Sequence, residues 1–285
     1  MTEALQTTAP IRLGEVEVLA LSDGPVTLPA ERVRMPAEQV AALLAAAGEP
    51  CPPQLSVNAF LIRHGDRVAL VDAGFGPEIG PRMGPGCGRL MESLRVHGIA
   101  PGDIDTVLLT HIHPDHSGGL IDLAGRAVFP RAELVVHAAD LAFWCDPAQR
   151  AGVGPELAAR MEAAARQIAP YRDRLRPFGS EAPVWPGITA LPLPGHTPGH
   201  AGYVLEAGAG LVIWGDILHI PAVQVPHPEA AMVFDIDPDA AVATRRRMLE
   251  RAAAEGLAVA GMHIAFPGFA RVARDAGGFR LVPGA

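Results

Sequence analysis

The chain of 285 residues contains no lysine; all 23 of its basic side chains are arginine. That absence excludes a lysine Schiff base with pyridoxal phosphate or a carbonyl substrate, and it excludes a P-loop. Basic groups are outnumbered by 31 acidic ones, for a formal charge of −8. Nonspecific nucleic-acid binding rests on neutralising phosphates, so this balance argues against a nucleic-acid partner. Cysteine is scarce: Cys51, Cys87 and Cys145 are widely spaced and odd in number. They read as three unpaired thiols rather than a disulfide framework or a zinc knuckle. Long apolar runs are also missing. The longest aliphatic stretch, Val40 to Ala47, falls far short of the ~18 residues of a membrane span. The N-terminal segment lacks a basic start followed by an apolar block. A soluble, cytoplasmic protein with no membrane partner is expected. Against these absences stand 11 histidines, concentrated in the middle and later thirds. Histidine is the commonest metal ligand, so the chemistry is sought there.

Along the chain, IRLGEVEVLALSDG reads as one initial strand, followed by a Pro-rich stretch and a short helix. That helix buries Val40, Leu43, Leu44 and Ala47 at i, i+3, i+4, i+7 spacing and closes at Gly48. VNAFLI and RVALVDAG form a hairpin that delivers Asp72 to a Gly-rich segment, and residues 74 to 88 read as loop. A helix from about Arg89 to His97 and a short strand VLLTH follow. Ala138 to roughly Ala169 is alanine-rich and helical, and ITALPLPG, AGYVLEA and GLVIWGD read as three strands. A last helix spans Pro238 to Glu255, with Asp237 as N-cap and Gly256 past its end. Its run Arg245-Arg246-Arg247 reads as a solvated face. Strands followed by helices, twice over, predict a layered α/β protein. Residues 1–56 are expected to contribute to the same domain as 57–285.

Thr110-His111-Ile112-His113-Pro114-Asp115-His116 carries the strongest chemical signal. Alternate side chains of an extended segment share a face, so His111 and His113 point to one spot. Asp115 and His116 turn in the loop beyond. Four ligand-capable groups in six residues exceed what one tetrahedral zinc ion needs from a local segment, and two adjacent metals are the natural inference. Three further candidates end strands: His196 in GHTPGH, Asp216 after LVIWG and His263 after LAVAGM. An acidic group at the end of so apolar a strand is costly unless paired or metal-bound. His200 reads as structural.

HxHxDH at 111 to 116, GHTPGH at 195 to 200, GD at 215 to 216 and the late His263 together resemble the metallo-β-lactamase superfamily, over about residues 57 to 264. The resemblance implies a four-layer αββα sandwich with an N-terminal extension and metals at one edge between two sheets. It implies that His111, His113 and His196 hold one divalent ion, that Asp115, His116 and His263 hold the other, and that Asp216 bridges them, with Zn2+ as the expected metal. VDAG, Val71 to Gly74, matches the early aspartate motif of structural support. GDILHIPAVQVPHP, FDIDPDAA and AGMHIAFPG look like the branch of methyl parathion hydrolase and the quorum-quenching lactonases. That branch implies attack of a metal-bridging hydroxide on a lactone, ester or phosphotriester, and a homodimer. Lactonases usually place a tyrosine three residues beyond the bridging aspartate; here the position is His219. Asp115 as a proton donor to the leaving group and His219 as a polariser of the acceptor oxygen are the catalytic candidates, with hydrogen-bonded support the other reading of His219. An apolar ester- or lactone-like substrate is expected, facing some of Leu28, Met35, Phe75, Met83, Phe143 and Trp144. A mononuclear iron persulfide dioxygenase and a β-lactam hydrolase are the rival readings.

Overall fold

Two seven-stranded sheets face each other in the structure, a computed structural model that describes residues 5–206, 210–275 and 277–284. The first sheet runs in chain order through β1 (Ile11–Leu13), β2 (Val16–Thr27), β3 (Gln54–His64), β4 (Arg67–Val71), β5 (Thr106–Leu108), β6 (Glu133–His137) and β7 (Leu175–Phe178). The second runs through β8 (Ala182–Trp185), β9 (Ile188–Pro192), β10 (Ala201–Leu205), β11 (Leu211–Ile213), β12 (Ala258–Ala260), β13 (Phe269–Asp275) and β14 (Gly278–Pro283). The helices are α1 (Ala37–Ala46), α2 (Gly76–Met83), α3 (Leu90–Val96), α4 (Pro114–Ser117), α5 (Ala138–Trp144), α6 (Pro147–Ala151), α7 (Pro155–Ile168), α8 (Pro221–Gln224) and α9 (Pro238–Glu255).

Strand alternation builds the layers. Along β3, Phe60 and Ile62 face the space between the sheets, where they meet Val18, Tyr203, Leu205 and Ile213. Their neighbours Ala59 and Leu61 point the other way, into a core shared with Leu90, Leu94 and Met161 of α3 and α7. Beyond the second sheet, Val212, Val259 and Val272 pack on Met248, Leu249 and Ala252 of α9. Helices, sheet, sheet and helix give the expected αββα sandwich. Burial of a side chain such as Phe60, fully enclosed between the sheets, stabilises the fold by about 1.5–3 kcal/mol. β4, β5 and β6 run parallel, as do β11 and β12. The loops leaving their carboxyl ends carry Asp72, the 111–116 segment, Asp216 and His263, and loops in that position are where open α/β sheets bind ligands.

Several local expectations are corrected. The initial strand is a hairpin, because Gly14 takes φ +58 and turns β1 back on β2. Residues 74 to 88 hold helix α2: Pro77 sits in its first turn, where it forfeits no internal bond. Its glycines serve close approach rather than looseness, since a Cβ on Gly76 would lie 2.6 Å from the Gly118 carbonyl oxygen. The alanine-rich segment is three helices, interrupted by Asp146-Pro147 and Gly154-Pro155, each of which starts a new one. Strand AGYVLEA is observed to Leu205; Ala207 lies outside the described residues, as do residues 1–4 of the N-terminal segment. Arg245 does not belong to a solvated face: it is 1% exposed, while Arg246 and Arg247 are exposed as expected. The three cysteines are unpaired. Among the described residues no helix is long and apolar enough to cross a membrane.

Candidate metal centre

The turn from β4 into α2 sets the floor of the site. Asp72 adopts φ +61, a conformation costly for a residue with a Cβ, and its carboxylate accepts from the backbone N–H and hydroxyl of Thr110, both at 2.8 Å. The same carboxylate takes the Nδ1–H of His116 at 2.7 Å. Comparable anchors hold two more rings: His196 Nδ1 lies 2.7 Å from Asp235 Oδ1, and His263 Nδ1 lies 2.9 Å from the Ser56 carbonyl oxygen. A ring whose Nδ1–H is occupied presents a lone pair at Nε2, the arrangement that orients metal-ligating histidines. The Nε2 atoms of His116, His196 and His263 each lie 3.3 Å from one atom, Asp216 Oδ2.

The predicted residues come together. Ligand-capable atoms within 4.8 Å of one another group His111 with His113 and His196, His111 with His116 and Asp216, Asp115 with His116 and His263, and His196 with Asp216 and His219. His111 Nε2 lies 3.0 Å from His113 Nδ1, which lies 2.9 Å from His196 Nε2. A tetrahedral ion with bonds of about 2.0–2.1 Å separates its nitrogen ligands by roughly 3.3 Å, close to these values. The Nε2 of His116 and Oδ1 of Asp216 are buried without a hydrogen-bond partner among the described residues. Lone pairs converging at this spacing, with buried polar atoms left over, fit divalent cations. His200 is different: its Nδ1 donates to the Leu193 carbonyl and its Nε2 accepts the Asp216 N–H, both at 2.8 Å. Both nitrogens are used, so it braces the backbone of Asp216. His219 Nε2 lies 3.1 Å from Asp216 Oδ2 while its ring stacks on His263, with centroids 5.1 Å apart.

Two supporting acids were not legible as site residues. Asp140, fully buried on α5, accepts from the Ile112 N–H at 2.9 Å and the Gly199 N–H at 2.6 Å, so it ties the HxHxDH loop to the GHTPGH loop. Burial pushes its pKa up to about 6 against those bonds. Asp235 orients His196 as above. The available signal was an acid inside an apolar segment, HAADLAFW for one and MVFDID for the other. Of the expected pocket-lining residues, Leu28, Phe75 and Met83 line the cavity over the metal centre, and Trp144 lines its neighbour. Met35 and Phe143 instead pack into the hydrophobic clusters beneath.

Charge in the metal-free site is divided unevenly. Burial and neighbouring imidazoles hold His111 and His113 well below the usual histidine range. Burial also opposes charge on His116, His196 and His263, but the carboxylates outweigh it: His116 is held well above its usual value, His196 near 9 and His263 near 10. Ligation requires the neutral ring, so metal loading displaces protons. Because these pKa values are raised, the protons compete increasingly as pH falls. Loading with Zn2+ at pH 7 is expected to release protons, and affinity to climb as pH rises above neutrality. Calorimetry in buffers of different ionisation enthalpy measures the release; a buffer-independent heat would contradict it.

The sequence matches the model of the metallo-β-lactamase superfamily over residues 52–263. Among solved structures, the hydrolase AbOPH of the β-lactamase superfamily is 31% identical, with a TM-score of 0.91 and 99% of each chain covered. The dizinc quorum-quenching lactonase AidC superposes with a TM-score of 0.88 over 99% of each chain at 24% identity, a likeness of fold. A probable metallo-hydrolase of Mycobacterium tuberculosis is 30% identical over 184 residues, 54% of either chain, so the chain spans about half the length of such curated relatives. The family match over most of the chain, together with the sandwich and its histidine-rich edge, makes this chain a member of the metallo-β-lactamase superfamily.

Proposed function

We propose that the chain is a dinuclear hydrolase acting on lactones, carboxylic esters or phosphotriesters. The carrying observation is that Asp216 Oδ2 stands 3.1–3.7 Å from nitrogens of five histidines, as a shared central ligand requires. In this reading His111, His113 and His196 would hold one Zn2+, Asp115, His116 and His263 would hold the other, and Asp216 would serve both. When bound, such ions supply Lewis acidity, a water-derived nucleophile at neutral pH and a positive field that favours an oxyanion.

The protein's own groups do the rest. Asp72, Asp235 and the Ser56 carbonyl fix the tautomers of His116, His196 and His263. Asp115 is held well below the usual carboxylate range: against the cost of burial, His116 and His263 keep it ionised. In this reading the ionised carboxylate first takes a proton from the attacking water and then hands it to the leaving oxygen. Burial lowers His219 to about 4 despite Asp216, so at neutral pH it is an uncharged ring with one N–H to donate. It occupies the tyrosine position of the lactonases and polarises the acceptor oxygen. The apolar walls of the cavity suit a neutral substrate.

A panel of acyl-homoserine and aryl lactones, aryl esters and a phosphotriester, run on the metal-loaded protein with metal content measured on the same sample, tests the proposal. Two metals per active chain and turnover of at least one class are expected. One iron per chain with oxygen uptake would overturn it. On whichever substrate is active, His219→Ala is expected to lower kcat roughly 10- to 100-fold at unchanged metal content, and His219→Tyr to restore part of the loss. Unchanged turnover in His219→Ala would remove His219 from the mechanism.

A further inference from the structure

Two apolar cavities of nearly equal size adjoin the metal centre. The first, of about 340 Å³, reaches Asp115, Asp216, His219 and His263 and is walled by Leu28, Leu55, Phe75, Ile79, Met83 and Phe234. The second, of about 350 Å³, is walled by Ile112, Trp144, Ala159, Ala163 and Ala164. Both cavities touch His113, Pro114 and Arg160. The second exists because α7 presents Ala159 and Ala163 one turn apart, on the face where Trp144 stands edge-on to His113 with ring centroids 5.3 Å apart. Trp144 is 2% exposed, so its ring is packed into this wall rather than free in the cavity. Arg160 pairs with Glu156 at 2.8 Å and stands where the two cavities and an outer trough beside Arg32 and Phe234 come together.

Enzyme pockets gain affinity by enclosing apolar surface on both sides of a reacting group. A lactone with a single acyl tail occupies one such lobe and leaves the other empty. Building on the hydrolase reading, we infer that the preferred substrate is an open-chain carboxylic ester with an apolar group on both its acyl and its alcohol side, one group in each lobe. Water adds across the acyl C–O bond, its oxygen to the carbonyl carbon and a proton to the departing alkoxide, giving a carboxylic acid and an alcohol with no change of oxidation state.

The test uses four esters of one reactivity class: ethyl acetate, ethyl hexanoate, hexyl acetate and hexyl hexanoate, followed by pH-stat titration on the metal-loaded enzyme. Each six-carbon arm, hexanoyl or hexyl, is expected to raise kcat/KM about tenfold or more, with hexyl hexanoate the best of the four. Leu28→Trp, which fills the first lobe, should cancel the gain from one arm only, and Ala163→Phe, which fills the second, the gain from the other only. Binding of the uncleaved analogue N-hexylhexanamide, followed by Trp144 fluorescence with Trp144→Phe as the blank, gives a second readout. Its saturable signal should weaken tenfold in Ala163→Phe. Hexyl hexanoate no better than the better single-armed ester, or both variants cancelling the same gain, would overturn the inference while leaving the hydrolase reading intact. If no ester, lactone or phosphotriester is turned over, the hydrolase reading fails, and amide binding still decides whether the second lobe takes a ligand.

Discussion

Replacing Asp216 by alanine should lower kcat/KM on any active ester or lactone by at least about a thousandfold, with metal per chain falling in the same preparation. The reason is the crowding around one oxygen. Asp216 Oδ2 lies 3.3 Å from Nε2 of His116, His196 and His263, 3.1 Å from that of His219 and 3.7 Å from that of His111. No other carboxylate among the described residues stands so near to all five rings. Its removal would take away the proposed shared ligand and the carboxylate charge that helps hold His116, His196 and His263 above the usual histidine range. The fold should survive, because the bond that holds this turn runs from the residue 216 backbone N–H to His200 Nε2 at 2.8 Å and is kept in the variant. Near-native circular dichroism with lost metal and lost turnover is the expected pattern. Asp216→Asn, which keeps the shape but not the charge, should also fall, and a loss of less than about tenfold in both variants at full metal content would remove the residue from the centre of the site.

What the sequence makes visible follows from how local each cause is. His111, His113, Asp115 and His116 sit within six residues, and strand periodicity alone brings the first two to one face. The helix α9 was equally plain, since Asp237, Pro238 and Gly256 are local stop and start signals and Asp237 Oδ1 does accept the Ala240 N–H at 3.0 Å. Asp140 and Asp235 were opaque for the opposite reason. Asp140 acts on Ile112 and Gly199, 28 and 59 residues away, and Asp235 acts on His196, 39 residues away. The apolar segment around each marks a buried acid, but nothing within a few positions says which distant group it holds. Helix α2 was hidden by its glycines, which composition reads as loop. Gly80 is needed because a Cβ there would come within 2.5 Å of Gly88 Cα, so the helix presses its backbone against the segment that follows it. Such a requirement is a property of packed neighbours, invisible until the neighbours are placed.

Arg245→Ala is expected to destabilise the protein by roughly 3–5 kcal/mol, the range for stripping a buried charged donor from its partners. The side chain leaves the middle of α9 and is 1% exposed. Its Nε donates to the Ile217 carbonyl at 2.8 Å, and one terminal nitrogen donates to those of Pro228 at 2.8 Å and Ala230 at 3.2 Å. Those carbonyls lie on the loop that carries Asp216 and His219 at one end and Phe234 and Asp235 at the other. One guanidinium therefore organises the segment that supplies the proposed shared ligand, the catalytic candidate and the anchor of His196. Burial lowers its pKa to about 10, with Asp235 acting in the opposite direction, so the group stays charged at neutral pH and its donors remain strong. Alanine takes the donor from the Ile217 and Pro228 carbonyls, leaves that of Ala230 with Gln224 Nε2 at 3.0 Å, and opens a void where the side chain ran. Arg245→Lys offers a compact ammonium in place of a planar fork and should recover only part of the loss. The exposed neighbour Arg246, which pairs with the half-exposed Glu229 at 3.4 Å, is the control and should change stability by less than about 0.5 kcal/mol. Urea unfolding of the three variants under one buffer condition measures the differences; an Arg245→Ala midpoint equal to that of Arg246→Ala would show that the loop holds its shape without the guanidinium.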